Sequence, residues 1–118
     1  MKKKFRIKKR EDFIRVSQSG FSFRAYSVVL LCGFNELDTY RVGFTASKKI
    51  GNAVARNLCK RRMRAAADVT FTKVGLAGMD YVLIARRSTG NVSWDLLLEE
   101  VMHAANFLNG KMLKCKKS

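Results

Sequence analysis

Residues 48–64 read Lys-Lys-Ile-Gly-Asn-Ala-Val-Ala-Arg-Asn-Leu-Cys-Lys-Arg-Arg-Met-Arg, a basic turn that leads into a segment of helical periodicity. At about 100° of rotation per residue, one face of this helix collects Arg56, Asn57, Lys60, Arg61 and Arg64. The other face collects Val54, Leu58, Cys59, Met63, Ala65, Ala66 and Val69. No acid lies between Asp38 and Asp68, so the cations lack partners within the helix. The pattern predicts a surface that binds phosphate groups.

The whole chain is basic. Its 24 Lys and Arg residues against 9 Asp and Glu give a formal charge of +15 on 118 residues. A compact domain with such self-repulsion is typical of proteins that bind a polyanion, and nucleic acid is the commonest one. A membrane surface is not expected as a partner, because the sequence has neither a lipidation signal nor a long helix with a large apolar face.

The length suits a single RNA-binding domain over residues 1–118, and we expect the basic ends, 1–8 and 111–118, to be flexible tails. The longest apolar run, residues 28–32, is too short to span a bilayer, and the Lys-rich start lacks the apolar segment of a signal peptide. We therefore expect a cytoplasmic protein.

The cysteines form neither a disulfide framework nor a zinc site, because the three are far apart and the chain has a single histidine. Cys32 and Cys59 fall on apolar faces, so we expect them in the core, whereas Cys115 should be exposed.

The remaining pattern predicts the order α-β-β-β-α-β-α, an α/β (α+β) fold. The elements are a helix over 9–19 ending at Gly20, strands over 21–24, 27–32 and 40–46, a helix over 53–74, a strand over 81–85, and a helix that starts after Ser93 and stops near Gly110. Asn52 should cap the basic helix, and Gly75 and Gly78 should end it. The helix between the third and fourth strands suggests that these two strands are parallel.

Lys-Lys-Ile-Gly-Asn-Ala-Val at 48–54, followed by Arg56-Asn57-x-x-Lys60-Arg61-x-x-Arg64, resembles the signature of the bacterial ribonuclease P protein subunit. The Arg-Glu-Asp-Phe run at 10–13, the Arg-Val-Gly run at 41–43 and the strand at 81–86 support the resemblance, which covers nearly the whole chain. It implies four strands in one mixed sheet, with a left-handed crossover between the third and fourth. The general preference for right-handed crossovers would have predicted the opposite hand.

The resemblance also implies a function: one monomeric protein joins one catalytic RNA, and the holoenzyme removes the 5′ leader from precursor tRNA. The chemistry would belong to Mg²⁺ ions bound by the RNA, with no cofactor on the protein. The residues agree with this division, because His103 is isolated and the 9 acids show no metal-site pattern. We expect no catalytic and no metal-ligating residue in the chain.

Carried over residue by residue, the family's RNA contacts fall on Lys48, Lys49, Asn52, Arg56, Asn57, Lys60, Arg61 and Arg64. The resemblance places Phe13 in a cleft for the leader, whereas the sequence pattern alone favours a core position for it. The aromatic residues Tyr26, Phe23 and Phe34 can be assigned neither to the cleft nor to the core.

The chain departs from the family pattern at two positions. Many relatives have a basic residue where this chain has Leu58, and an apolar residue where it has Arg62. Arg62 lies within the apolar arc, so it must reach solvent or pair with an acid such as Asp80 or Glu99.

Two other classes of protein remain as alternatives. A ribosomal or other structural RNA-binding protein would share the charge, although it would more often have an extended Gly-rich or Arg-rich tail. A nuclease with its own protein active site would need clustered carboxylates or paired histidines, and the sequence shows neither.

Overall fold

The computed structural model describes residues 2–117, with side chains to residue 115, and it contains the predicted order of elements. The helices are α1 (Arg10–Ser17), α2 (Ala53–Val74) and α3 (Trp94–Lys117), and the strands are β1 (Phe21–Arg24), β2 (Val28–Phe34), β3 (Arg41–Thr45) and β4 (Met79–Ala85). Single 3₁₀ turns occupy Lys3–Phe5 and Lys48–Ile50. None of the helices in this part of the chain is long and apolar enough to cross a membrane.

The four strands form one mixed sheet in the order β1-β2-β4-β3. β2 pairs antiparallel with both β1 and β4, whereas β3 pairs parallel with β4, with Val42 opposite Tyr81. The parallel pairing predicted from the intervening helix is therefore confirmed. The left-handedness of the crossover from β3 through α2 to β4 stays a prediction from the family resemblance.

Two helices cover one face of the sheet. α2 packs against β3 and β4, and α3 packs against β1 and β2. Alternate strand residues point into this layer and are buried, among them Leu30, Val42, Tyr81 and Leu83. Both Cys32 and Cys59 are buried, as expected, and burial raises the pKa of the Cys32 thiol to about 12. The thiols are therefore packing groups of the core.

The opposite face is covered only in part. α1 lies over β2 and β4, where Val16, Ile7 and Val82 form a second, smaller core cluster. The helix is shorter than the predicted 9–19, but Gly20 has the left-handed conformation expected after it, with φ +84°. The rest of this face is open.

The predicted end of the last helix near Gly110 is wrong, because α3 continues to Lys117. The residues on both sides of the glycine explain this. Asn109 donates through Nδ2 to the carbonyl of Val74 at 2.8 Å, and Met112 is completely buried. These contacts hold the helix against the rest of the fold across the glycine. The flexibility expected for 1–8 and 111–118 stays a prediction.

Candidate RNA-binding surface

The basic turn before α2 has a defined conformation. The N–H groups of Ile50 and Gly51 donate to the carbonyls of Ser47 and Lys48 at 3.0 and 3.2 Å. Gly51 has φ +141°, which favours glycine, and it directs the chain into the helix. Since Lys48 and its neighbour Lys49 are exposed, the turn presents two ammonium groups at the start of α2.

Asn52 caps the helix as predicted, because its Oδ1 accepts from the N–H of Ala55 at 3.0 Å. The first N–H groups of a helix have no acceptor within the helix, and the aligned peptide dipoles make this end partly positive. The positive helix end and the two lysines of the turn therefore lie together, an arrangement suited to an anion.

The predicted cations continue along the outer face of α2. Asn57 and Arg61 are exposed, and the side chains of Arg56, Lys60 and Arg64 are partly covered. Among residues 2–115, the ion pairs join Arg15 or Arg41 to acids, so no side chain of this face has an acid partner among the described side chains. We call Arg56, Asn57, Lys60, Arg61 and Arg64 the α2 face.

Arg64 is held in place by the sheet. Its guanidinium carbon lies 5.7 Å from the centre of the Phe44 ring, within cation–π range. Its Nε is buried and has no hydrogen-bond partner among the described residues. The side chain is thus supported on one side by the aromatic ring of Phe44.

The predicted apolar arc of α2 is only partly correct. The residues that are buried are Cys59, Met63, Ala66, Ala67, Thr70 and Phe71. Val54 is 77% exposed and Leu58 is 39% exposed, and Ala65 is also exposed. The buried stripe is narrower than the arc and starts later, at Cys59.

The acid partners suggested for Arg62 are wrong. Its two terminal nitrogens donate to the carbonyls of Thr89 and Val92, both at 2.5 Å. The guanidinium thus ties α2 to the loop between β4 and α3 and is removed from the outer face. Leu58, the other position where the chain departs from the family pattern, is 39% exposed and carries no charge.

A groove of about 1140 Å³ occupies the open part of the sheet. Its floor includes the apolar side chains of Val29, Leu31 and Ile84, and its rim includes Arg24, Tyr26, Lys49, Arg86 and Arg87. Lys49 belongs to the basic turn as well, so the groove and the start of α2 form one continuous surface. Tyr26 is 67% exposed, which makes it the aromatic residue of the groove among the three that the sequence left unassigned.

The other two unassigned aromatic residues lie elsewhere. Phe23 faces α3, with its ring 5.2 Å from His103 and 5.1 Å from Phe107, and Phe34 ends β2 away from the groove. His103 is exposed.

Phe13 is partly buried and packs beside the second core cluster. Its ring lies directly on Gly43, since a Cβ at that position would be 2.5 Å from Phe13 Cε1. Gly43 is therefore needed for the close approach of α1 to β3. The ring belongs to the same side of the sheet as the groove, and its contact with the leader stays a prediction.

Sequence comparison decides the family of this chain. The family model described as Ribonuclease P matches residues 1–108. The chain belongs to the ribonuclease P protein family. The ribonuclease P protein component of Paramagnetospirillum magneticum is 40% identical over 104 residues, which are 84% of this chain and 78% of that protein. That of Listeria innocua is 36% identical over 117 residues, 98% of this chain and 96% of that protein. Because the chain belongs to this family, the alternative of a ribosomal protein is set aside.

Solved ribonuclease P proteins have the same fold. The Staphylococcus aureus protein matches with a TM-score of 0.74 at 33% identity, over 87% of this chain and 94% of that one. The Thermotoga maritima protein matches with a TM-score of 0.72 at 27% identity, over 83% and 92%. The predicted fold class is thereby confirmed.

One buried polar network has no counterpart in the predictions from the sequence. Asp80 is completely buried, and its carboxylate accepts hydrogen bonds from Arg41 at 2.9 and 2.7 Å, from Asn35 at 2.7 Å, and from Arg15. Burial raises the pKa of Asp80, but these hydrogen bonds outweigh it, and the net pKa lies below the ordinary 3.8. The network fixes α1 to the sheet. Asp80 is the second residue of β4, which is buried along nearly its whole length, and its donors come from distant parts of the chain that no local pattern connects.

In this member of the ribonuclease P family, the described residues contain no group of three or more His, Cys, Asp or Glu side chains that could hold a metal ion. All eight predicted RNA-binding residues lie on the basic turn or along α2, in one continuous region. The chemistry that this arrangement supports is the binding of a polyanion.

Proposed function

We propose that the chain acts as the protein component of ribonuclease P through two RNA-binding surfaces. The α2 face and the basic turn bind the ribonuclease P RNA, and the groove on the sheet binds the 5′ leader of precursor tRNA. The observation that carries this proposal is the row of cations on α2, none of which is paired with an acid among the described side chains, next to an open groove that shares Lys49.

The α2 face suits a structured RNA. Lys60 and the arginines neutralise phosphates and release counterions, and a forked guanidinium can hold two phosphate oxygens. Asn57 is exposed and can both donate to and accept from a sugar or a base edge. Because these groups project from one rigid helix, their spacing is fixed before the RNA arrives.

The groove suits a single strand. Its apolar floor of Val29, Leu31 and Ile84 can contact bases irrespective of their sequence, while Arg24 and Arg86 on its rim can neutralise the backbone. Such binding is tolerant of base identity, as a protein that handles many leaders requires.

The reaction is endonucleolytic hydrolysis that leaves the mature 5′ end of tRNA, and we assign its chemistry to Mg²⁺ ions held by the RNA. The protein contributes position and charge, with no cofactor of its own, and one copy serves one RNA. The assembly works in the cytoplasm, where precursor tRNA is made.

The test is reconstitution at physiological Mg²⁺. End-labelled precursor tRNA is incubated with the protein, with ribonuclease P RNA, and with both, and the product ends are mapped. We expect cleavage at the mature 5′ end that requires the RNA and is faster with the protein. Cleavage by the protein alone, or no effect of the protein on the rate, would contradict the proposal.

A further inference from the structure

The N-terminal segment forms a second basic surface. It lies outside the α2 face and outside the groove on the open part of the sheet, which we call the leader groove. Every residue from 2 to 10 is Lys or Arg except Phe5 and Ile7. These two apolar side chains alternate with the cations and turn toward the fold: Ile7 is 6% exposed, and Phe5 is partly covered. The segment is therefore docked on the fold by its apolar residues, with its cations outside.

Backbone contacts fix this segment to the outermost strand. The N–H of Ile7 donates to the carbonyl of Val42 at 3.0 Å, and Arg6 forms a parallel bridge with the same residue. The Phe5 ring stacks on Tyr40, with centres 4.7 Å apart and planes 17° from parallel. The segment thus extends the sheet at the free edge of β3 and places its cations along that edge.

The docked segment creates a groove of about 330 Å³. The lining residues are Lys3, Lys4, Arg6, Lys8, Lys9, Asp12, Leu37 and Arg41. Asp12 is the one acid among them, and its two oxygens face Arg15 at 3.4 Å and Arg41 at 3.5 Å. None of the lining lysines has an ion pair among residues 2–115. A concave surface of unneutralised cations fits a phosphate backbone.

This N-terminal groove is separated from the basic turn and from the leader groove. It lies where β3 begins, at Arg41, whereas the basic turn follows the end of that strand, roughly 17 Å away for five residues at about 3.3 Å each. The leader groove lies over the opposite end of β4, and α1 stands between the two. A leader strand in its own groove does not fill this one.

We propose that the N-terminal groove binds the sugar–phosphate backbone of the ribonuclease P RNA at a second site, at the end of β3 opposite the basic turn. This inference rests on the proposed function. A large folded RNA can reach both ends of a domain whose shortest dimensions are 27 and 26 Å. Two separated contacts on one RNA prevent the protein from rotating about a single helix, and so they orient the leader groove toward the substrate.

The test compares two double variants of equal charge. Lys3→Gln/Lys8→Gln removes two exposed cations of the groove, and the matched control Lys111→Gln/Lys114→Gln removes two exposed cations from the end of α3. Affinity for ribonuclease P RNA without substrate is measured from 0.05 to 0.3 M salt. Affinities of the assembled enzyme for leader-bearing precursor and for mature tRNA are measured separately, and melting temperature reports folding.

We expect the groove variant to bind the RNA roughly 10- to 30-fold more weakly near 0.15 M salt, and to lower the slope of log K against log salt by about 1.5, since each phosphate contact contributes about 0.7–0.9. The control should bind as wild type, and neither variant should melt at a lower temperature, because self-repulsion falls in both.

Equal losses in both variants would overturn the inference, because they would reflect net charge alone. So would unchanged RNA affinity, including the case in which only leader-bearing precursor binds more weakly, which would assign the groove to the substrate. If the wild-type protein itself does not bind ribonuclease P RNA, both this inference and the proposed function are wrong. Wild-type binding with an unaffected groove variant overturns the inference alone.

Discussion

Replacing Asp80 with Asn tests how α1 is held on the sheet. The substitution keeps the size of the side chain but removes the charge that receives four hydrogen bonds, two of them from Arg41. An amide also places an NH₂ group where the carboxylate had an acceptor oxygen, so at least one donor loses its partner. The completely buried position offers no water to replace it.

The expected loss of stability is about 3 kcal/mol. Breaking a buried ion pair by removing one partner typically costs about 3–5 kcal/mol. The lower end applies here because the side chains of Arg15 and Arg41 are 40% and 19% exposed and regain hydration. With an unfolding entropy of about 2.1 cal/mol/K per residue over 118 residues, this corresponds to a fall in Tm of roughly 12 °C.

The assay is thermal unfolding followed by circular dichroism at neutral pH, with Asp38→Asn as the control. Asp38 is exposed in the β2–β3 turn, so its loss changes the net charge equally without touching a buried network. A fall of less than about 2 °C for Asp80→Asn, or an equal fall for the control, would refute the argument.

The pH dependence gives a second check. Because the pKa of Asp80 is lowered in the folded protein, its stabilisation is complete above the unfolded-state pKa and is lost as pH falls through the lower, folded-state pKa. The difference in stability between wild type and Asp80→Asn should therefore be constant above about pH 5 and shrink below about pH 4. A difference that stays the same in acid would contradict the assignment.

Three further predictions concern separate parts of the molecule. Sulfate or phosphate should raise the Tm of the free protein above that in chloride at equal ionic strength, because anions bind where the turn at Lys48–Ile50 meets the start of α2; an unchanged Tm would count against this. Phe13→Ala should weaken binding of leader-bearing precursor by roughly 1–3 kcal/mol while affinities for mature tRNA and ribonuclease P RNA persist, and a common loss of all three would mean that the ring serves folding alone. Gly110→Ala should stabilise the protein by about 0.5–1 kcal/mol, because an added Cβ meets nothing within 4 Å in this helix; a lower Tm would show that the helix does not continue there.

The sequence predicted α2 to the residue, because both of its ends have local signals. Asn52 supplies the cap, and Gly75 and Gly78 follow the last turn. The candidate RNA-binding residues on α2 could also be proposed from local sequence, because the 3.6-residue periodicity that places them on one face depends only on the helix itself. The parallel pairing of β3 and β4 followed from the helix that connects them.

The last helix could not be predicted to its full length, because its continuation depends on distant contacts. A glycine inside a helix costs about 1 kcal/mol relative to alanine. Complete burial of Met112 and the hydrogen bond from Asn109 to the end of α2 offset that cost. Neither contact is visible in the order of residues around Gly110.

The hydrogen-bond partners of Arg62 likewise depend on tertiary structure. Periodicity placed its side chain inside the apolar arc, and an acid was the expected partner. The structure supplies two backbone carbonyls from the loop at residues 89–92. Carbonyls satisfy a guanidinium as acceptors, but they belong to every residue type and so leave no signal in the sequence.

The central claim is that the α2 face binds the ribonuclease P RNA, and the most direct measurement is the salt dependence of that affinity for wild type and for the triple variant Arg56→Gln/Lys60→Gln/Arg64→Gln. The account predicts a slope of log K against log salt that is smaller by about 2–3, with much weaker binding at 0.15 M salt and retention of the folded state. A triple variant that binds the RNA with the affinity and salt slope of the wild-type protein would contradict it.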